Sequence, residues 1–266
     1  MIDLGKRNVL GVMVDAVDYD AAVQRVMDAA ESGRSFTVSA LAVHGVMTGA
    51  TDKEQQYRLN RFSMIVPDGQ PVRWALNLLH RTKLANRVYG PELTLRVLKA
   101  SADKGLPVFF YGSTPSILAS LQSKLRVKFP DIQIAGSEPS KFRKLDEDER
   151  HSLADRIKAS GAKVLFVGLG CPRQEVFAYE MSGLLSMPML AVGAAFAFHA
   201  GELPQAPPEL QKRGLEWLYR LAQEPKRLWK RYLLLNPYYL LLLAGQWIGL
   251  RYSTAGVAPT IEIGYG

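Results

Sequence analysis

Along the first 200 positions, short unbroken apolar runs alternate with stretches in which apolar residues recur at helical spacing. The first run, Asn8–Val14, reads as a strand, and Tyr19–Ser32 as an amphipathic helix with Asp18 placed to cap it. Ser35–Leu41 reads as a strand, and Val43–Thr51 has helical spacing. Ser63–Pro67 is a short apolar run closed by the turn signature Pro67-Asp68-Gly69. Helices are predicted over Val72–His80 and Pro91–Lys104. Leu106–Tyr111 is a predicted strand that ends at Gly112-Ser113-Thr114-Pro115, where another helix starts. Ile132–Ala135 reads as a strand, Asp146–Ser160 as a charged helix, Lys163–Leu169 as a buried strand, and Met189–Phe198 as the start of one more.

This alternation predicts an α/β fold with a parallel or mostly parallel sheet and helices on both faces. Ligands of such sheets sit at the carboxyl ends of the strands. The chain places its most unusual loops there: Pro67-Asp68-Gly69, Gly112-Ser113-Thr114, and the run from Gly168 to Glu175.

After about residue 202 the pattern changes, which divides the chain into a core over 1–201 and an appendage over 202–266. Pro204, Pro207 and Pro208 make a linker-like stretch, and basic and aromatic residues then interleave. Between 212 and 231 there are seven Lys or Arg against Glu216 and Glu224. The whole chain carries +8, so most of its net charge sits in this short tail. The tail reads as a solvated basic helix, a nucleic-acid binder or a membrane-surface element. Trp217, Trp229, Tyr232, Tyr238 and Trp247 among cations and leucines suit an anionic membrane surface. No RNP, helix-turn-helix or KH pattern accompanies them, so nucleic acid is not an expected partner. Leu233–Leu250 is 18 residues long but is broken by Asn236, Pro237 and Gln246, too interrupted to span a bilayer. Ser253–Gly266 lacks a helical pattern and is expected to be loose.

Composition narrows the chemistry. With 48% apolar and 22% charged residues, the 266-residue chain can bury a sizeable core. The single Cys171 excludes a disulfide framework or a cysteine-built zinc cage. None of the four His forms an HExxH-type pair, so no protein-built metal site is expected. Asp15, Asp18 and Asp20 stand where a signal peptide needs an apolar run, so the chain is expected to stay in the cytosol.

Each candidate loop has two readings. Gly168-Leu169-Gly170 delivers backbone N–H groups at a helix start, which suits a phosphate, or is a tight turn. It matches neither GxGxxG nor a Walker loop. Arg173, Gln174 and Glu175 add polar groups a plain turn does not need. Asp68 is a general base or a turn former. Ser113 or Thr114 is a helix cap that also has room to touch a ligand. His199, His44 and Cys171 read as packing residues.

Taken in order, PDG (67–69), RVYGPEL (87–93), FFYG (109–112), VLFVGLGCPRQE (164–175), VGAAFAFHAG (192–201) and APPELQKRGLEWLYRLAQEPKRLWKRY (206–232) resemble the WecG/TagA/CpsF glycosyltransferases. The resemblance runs over roughly residues 8–232. It implies a Rossmann-like core with a basic helical C-terminal appendage that helps place the protein on the membrane and close the site. It implies an inverting transferase of bacterial surface or exopolysaccharide assembly, working from a UDP-sugar donor onto a polyprenyl-diphosphate-linked acceptor. The location it implies is peripheral, on the cytoplasmic face of an anionic membrane. It leaves the oligomeric state open.

By the resemblance, Asp68 is the catalytic base, with Ser39 beside it. Arg87, Gly112, Ser113, Gly168, Gly170, Arg173, Gln174 and Glu175 fall on the nucleotide and substrate site. The appendage arginines that match are Arg213, Arg220, Arg227 and Arg231, directed at the diphosphate. Transfer is expected to need no metal cofactor, the cationic tail doing what a metal does elsewhere. The chain departs from the family at three places. Many members read T-x-N where this chain reads Ser39-Ala40-Leu41, Asp where Ala197 stands, and Arg-Ala-Pro where it reads Gln205-Ala206-Pro207. These departures resemble the GumM-like branch, which uses UDP-glucose. A non-enzymatic membrane- or nucleic-acid-binding module is the competing class. A nucleotide-dependent oxidoreductase ranks behind it, for want of GxGxxG after the first strand.

Overall fold

A computed structural model describes residues 1–266, the side chains of Pro208, Lys212, Arg227 and Arg231 excepted. Its centre is a six-stranded, all-parallel sheet in the order β4-β3-β8-β7-β5-β6. The strands are β3 (Phe36–Leu41), β4 (Met64–Pro67), β5 (Val108–Gly112), β6 (Ile134–Glu138), β7 (Val164–Gly168) and β8 (Pro188–Ala191). In the inner strands β5, β7 and β8 the apolar runs are unbroken because both faces are covered. Phe109, Tyr111, Leu165 and Val167 point into one core layer, and Val108, Phe110, Val164 and Phe166 into the other. Helices α1 (Tyr19–Glu31), α5 (Gly90–Asp103), α6 (Pro115–Lys128) and α9 (Ala195–Ala200) cover one face. Helices α2 (Val43–Thr51), α3 (Lys53–Asn60), α4 (Gln70–His80), α7 (Glu147–Ala159) and α8 (Arg173–Met181) cover the other. This is the Rossmann-like arrangement the sequence implied.

Two expectations change. The run read as one strand over Asn8–Val14 is a hairpin, β1 (Asp3–Val9) and β2 (Val12–Val17), paired antiparallel outside the main sheet. Leu10 (φ 54°) and Gly11 (φ 89°) both turn left-handed, as a two-residue hairpin requires. The hairpin shields edge strand β4: the buried Asp15 carboxylate accepts the Ile65 N–H (2.8 Å) and pairs with Lys6 and Arg25.

The second change is at the C-terminus. The tail forms α10 (Pro208–Lys212), α11 (Glu216–Gln223), α12 (Pro225–Lys230), a π-helical turn (Arg231–Leu235) and α13 (Asn236–Trp247). Tyr239 and Leu243 of α13 are buried in the core. Residues 251–266 are not loose but run back over the core as an extended strap. Asn8, Gln56 and Asn60 donate side-chain amides to the Tyr252, Ser253 and Thr254 carbonyls (2.8, 3.0 and 2.8 Å). Glu180 accepts the Ile263 and Gly264 N–H groups (2.6 and 3.0 Å). Among the described residues, no helix is long and apolar enough to cross a membrane.

Candidate active site

All six parallel strands end at one edge of the sheet, and their carboxyl ends open into a cleft of about 720 Å³. Asp68, Ser113, Gly168, Gly170, Arg173, Gln174 and Arg220 all line it. A smaller cavity of about 110 Å³ lies between core and tail, shares Asp68 and Arg220 with the cleft, and adds Arg87, Glu216 and Trp217. A larger hollow of about 920 Å³ lies at the opposite edge, beside Thr37, α3 and the strap, and holds none of the candidate residues.

Asp68 follows β4 directly and is half-buried. Its Oδ1 accepts the Gly90 N–H at 2.6 Å, which fixes the carboxylate at the start of α5. Burial pushes the carboxyl up to about 6, against the pull of Arg87, the Gly90 N–H and Arg220, and with a further push from Glu216. Arg87 reaches across to the tail: it forms an ion pair with Glu216 and stacks over Tyr89, 4.2 Å from the ring centroid. Burial works against its charge, but Asp68 and Glu216 together hold it more firmly protonated than usual. Tyr19 accepts the Tyr89 N–H at 2.9 Å and is pushed by burial up to about 12, so it is neutral here.

The Gly168–Glu175 run is stitched to itself. The Gly170 N–H donates to Gln174 Oε1 (3.1 Å), and Gln174 Nε2 donates to Glu175 Oε1 (2.9 Å). Of the two readings, the tight turn therefore describes the Gly170 N–H, which is spent within the loop. Ser39 also donates to Glu175 Oε1 (2.9 Å). Both Ser39 and Glu175 are fully buried, so neither reaches the cleft; they support its floor. Gly112 is buried beside the Gly168 backbone, where any Cβ would fall 2.8 Å from the Gly168 carbonyl carbon. Its role is close packing of β5 on β7. Ser113 turns left-handed at the cleft wall, and Thr114 is the helix cap, accepting the Ile117 N–H. Arg173 is exposed at the mouth, 5.8 Å from the Tyr265 ring of the strap.

Among the tail arginines, Arg220 enters the cleft, its guanidinium 5.7 Å from the Phe198 ring centroid. Arg213 is exposed and lines neither cavity. The side chains of Arg227 and Arg231 lie outside the described residues. His199 packs at the rim, its Nε2 2.9 Å from the Pro91 carbonyl, and burial lowers its proton affinity.

A carboxylate of raised proton affinity, faced by cations across a cleft at the carboxyl edge of a parallel sheet, fits proton abstraction beside an anionic leaving group. The model of the Glycosyl transferase WecG/TagA/CpsF family matches residues 7–253. The chain belongs to the WecG/TagA/CpsF glycosyltransferase family. As a member it is a glycosyltransferase of cell-surface polysaccharide synthesis, taking a sugar-nucleotide donor and a glycan acceptor. Sequence reasoning placed the WecG/TagA/CpsF base candidate at the cleft but missed Glu216, which it counted only as a charge. The available signal was that only two acids, Glu216 and Glu224, interrupt the basic and aromatic segment over 212–231.

Proposed function

We propose that the chain is an inverting transferase moving a hexose from a UDP-sugar to a polyprenyl-diphosphate-linked saccharide at the cytoplasmic face of the membrane. The observation that supports this most is that Asp68 of the core and Arg220 of the tail line one cleft. The acceptor hydroxyl gives its proton to the Asp68 carboxylate as its oxygen bonds to the anomeric carbon. The bond from that carbon to the UDP oxygen breaks on the opposite face, and its electron pair leaves with UDP. Attack opposite the leaving group inverts the configuration. Arg220 and Arg173 meet the developing diphosphate charge, a task that planar guanidinium groups suit. In this reading the core over 1–201 holds the donor, the tail over 202–266 completes the site, and no metal is required.

Asp68→Asn is the direct test. Turnover of UDP-glucose with a synthetic lipid-diphosphate sugar acceptor is expected to fall about 10²–10⁴-fold with the fold retained. Wild-type turnover by the variant would remove Asp68 from the base role. Wild-type activity is expected to survive EDTA; loss on chelation, restored by a divalent cation, overturns the metal-free step.

A further inference from the structure

The mechanism above gives no task to Glu216, although it is a charged group that the tail carries into a buried contact with the core. It is 8% exposed in a segment whose other charges are mostly basic, and its partner Arg87 belongs to the core loop that leads into α5. Arg87 also meets Gln211 of α10 at 3.4 Å, so one core guanidinium holds two tail helices. Trp74 of α4 lies against Gly214 between those helices, which places the ion pair at the seam of a packed contact. Glu216, Arg87 and Asp68 line the same small cavity.

We propose that Glu216 is a positioning residue for the transfer: carried in on α11, it pairs with Arg87, and the pairing both seats the tail over the cleft and takes the charge of Arg87 off Asp68. This rests on the proposed role of Asp68. A base that must accept a proton is weakened by an unopposed cation at its side. Arg87 alone is such a cation; Arg87 with Glu216 is not. Closure of the tail therefore brings the counter-charge at the same moment as it excludes water from Asp68.

Of the other groups facing Asp68, Arg220 also favours its charged form, but it arrives on the same helix as Glu216. Tyr89 and Tyr19 are neutral, their hydroxyls pushed up by burial. His44 on α2 lines both cavities. Arg220 enters with Glu216 on α11, and Glu224 and Tyr232 lie farther along the tail side.

The test needs no turnover, which separates it from the proposed reaction. In the full chain, carboxyl-carbon NMR follows the titration of Asp68, assigned by its loss in Asp68→Asn. Amide hydrogen exchange follows residues 208–223, with β5 and β7 as the reference for an intact fold. Glu216→Gln keeps the contact but drops the charge, and is expected to move the Asp68 midpoint down by about one pH unit or more. Glu216→Ala drops both and is expected to raise exchange over α11 by roughly tenfold or more, since Arg87 loses its ion-pair partner across the seam. An unchanged midpoint in Glu216→Gln overturns the electrostatic role. Unchanged exchange in Glu216→Ala, with the core protected as in wild type, overturns the seating role. If Asp68 titrates as expected but Asp68→Asn turns over normally, the base reading falls while the Glu216–Arg87 contact stands.

Discussion

Asp68 sits in a place that serves chemistry better than stability. Its ordinary value of 3.8 is raised to about 6 in the folded chain, chiefly by burial. The folded state therefore holds this proton more tightly than the unfolded state. The group favours folding most below pH 4 and turns against it as pH rises through 6. At pH 7.5 the buried charge costs on the order of 1–3 kcal/mol. Asp68→Asn should melt above wild type at pH 7.5, and the gap should close toward pH 4. A variant that melts at or below wild type at pH 7.5 contradicts the burial argument. The same carboxylate sets the rate profile: activity should rise from the acid side with a midpoint near 6. Ser39 behaves differently. It is buried and gives its hydroxyl proton to Glu175, so Ser39→Ala leaves a buried carboxylate one donor short. A loss of about 1–3 kcal/mol in urea unfolding is expected; an unshifted midpoint would show that Ser39 does not support the floor.

At the scale of elements, the strap over 251–266 ties the chain's end to its core by hydrogen bonds. Deleting 252–266 strips Glu180, itself 8% exposed, of two N–H donors, and removes the carbonyl that Gln56 donates to and one of the two that Asn60 donates to. Several kcal/mol of lost stability is expected, read as a lower urea midpoint; an unchanged midpoint would make the strap an ornament. Nothing local in the sequence announces this, because its hydrogen bonds span up to 244 positions and its own residues lack periodicity. The polar helix α3 went unread for a related reason: its inward residues include Gln55, Gln56 and Arg58, so burial there has no apolar signature. Central strands such as Val164–Gly168 were legible because both faces are apolar. Edge strand β6 is only half-buried throughout, and its reading slipped by two residues at the start. The hairpin was read as one strand because the apolar run passes through Leu10 without a break, and only left-handed backbone at Leu10-Gly11 divides it. In the site, PDG and the appendage arginines were legible as motifs. The inward turn of Ser39 and Glu175, and the Glu216–Arg87 pair, depend on contacts between distant segments.

For the whole molecule, the tail has two faces with different work. Tyr239 and Leu243 of α13 are buried in the core, while Leu240 (57%), Leu241 (68%) and Trp247 (62%) of the same helix stand exposed. Trp229, Leu233, Leu234 and Ile248 are exposed beside them in the chain, with Lys226, Lys230 and Arg251 also outward. An apolar surface of this kind with cations among it suits insertion at the headgroup level of an anionic bilayer, lying on it rather than crossing. Burying one leucine contributes up to about 1.5–3 kcal/mol, and each basic residue near an anionic surface about 1 kcal/mol. The protein should therefore pellet with vesicles containing anionic lipid, less with neutral ones, and less as salt rises. Leu240→Ser with Leu241→Ser should weaken pelleting by at least tenfold while leaving the melting temperature near wild type, since neither side chain supports the core. Binding to duplex DNA with an equally steep salt slope, and none to vesicles, would favour the competing nucleic-acid module. Vesicle binding carries a consequence for the site. The helices that present leucines outward follow α11 in the chain after a break at Glu224, and α11 presents Arg220 and Glu216 inward. A surface that holds the outer face in place also holds the inner face over Asp68, where a lipid-borne acceptor would arrive. Anionic vesicles should then slow amide exchange over α11 in wild type and fail to do so in the Leu240→Ser, Leu241→Ser variant.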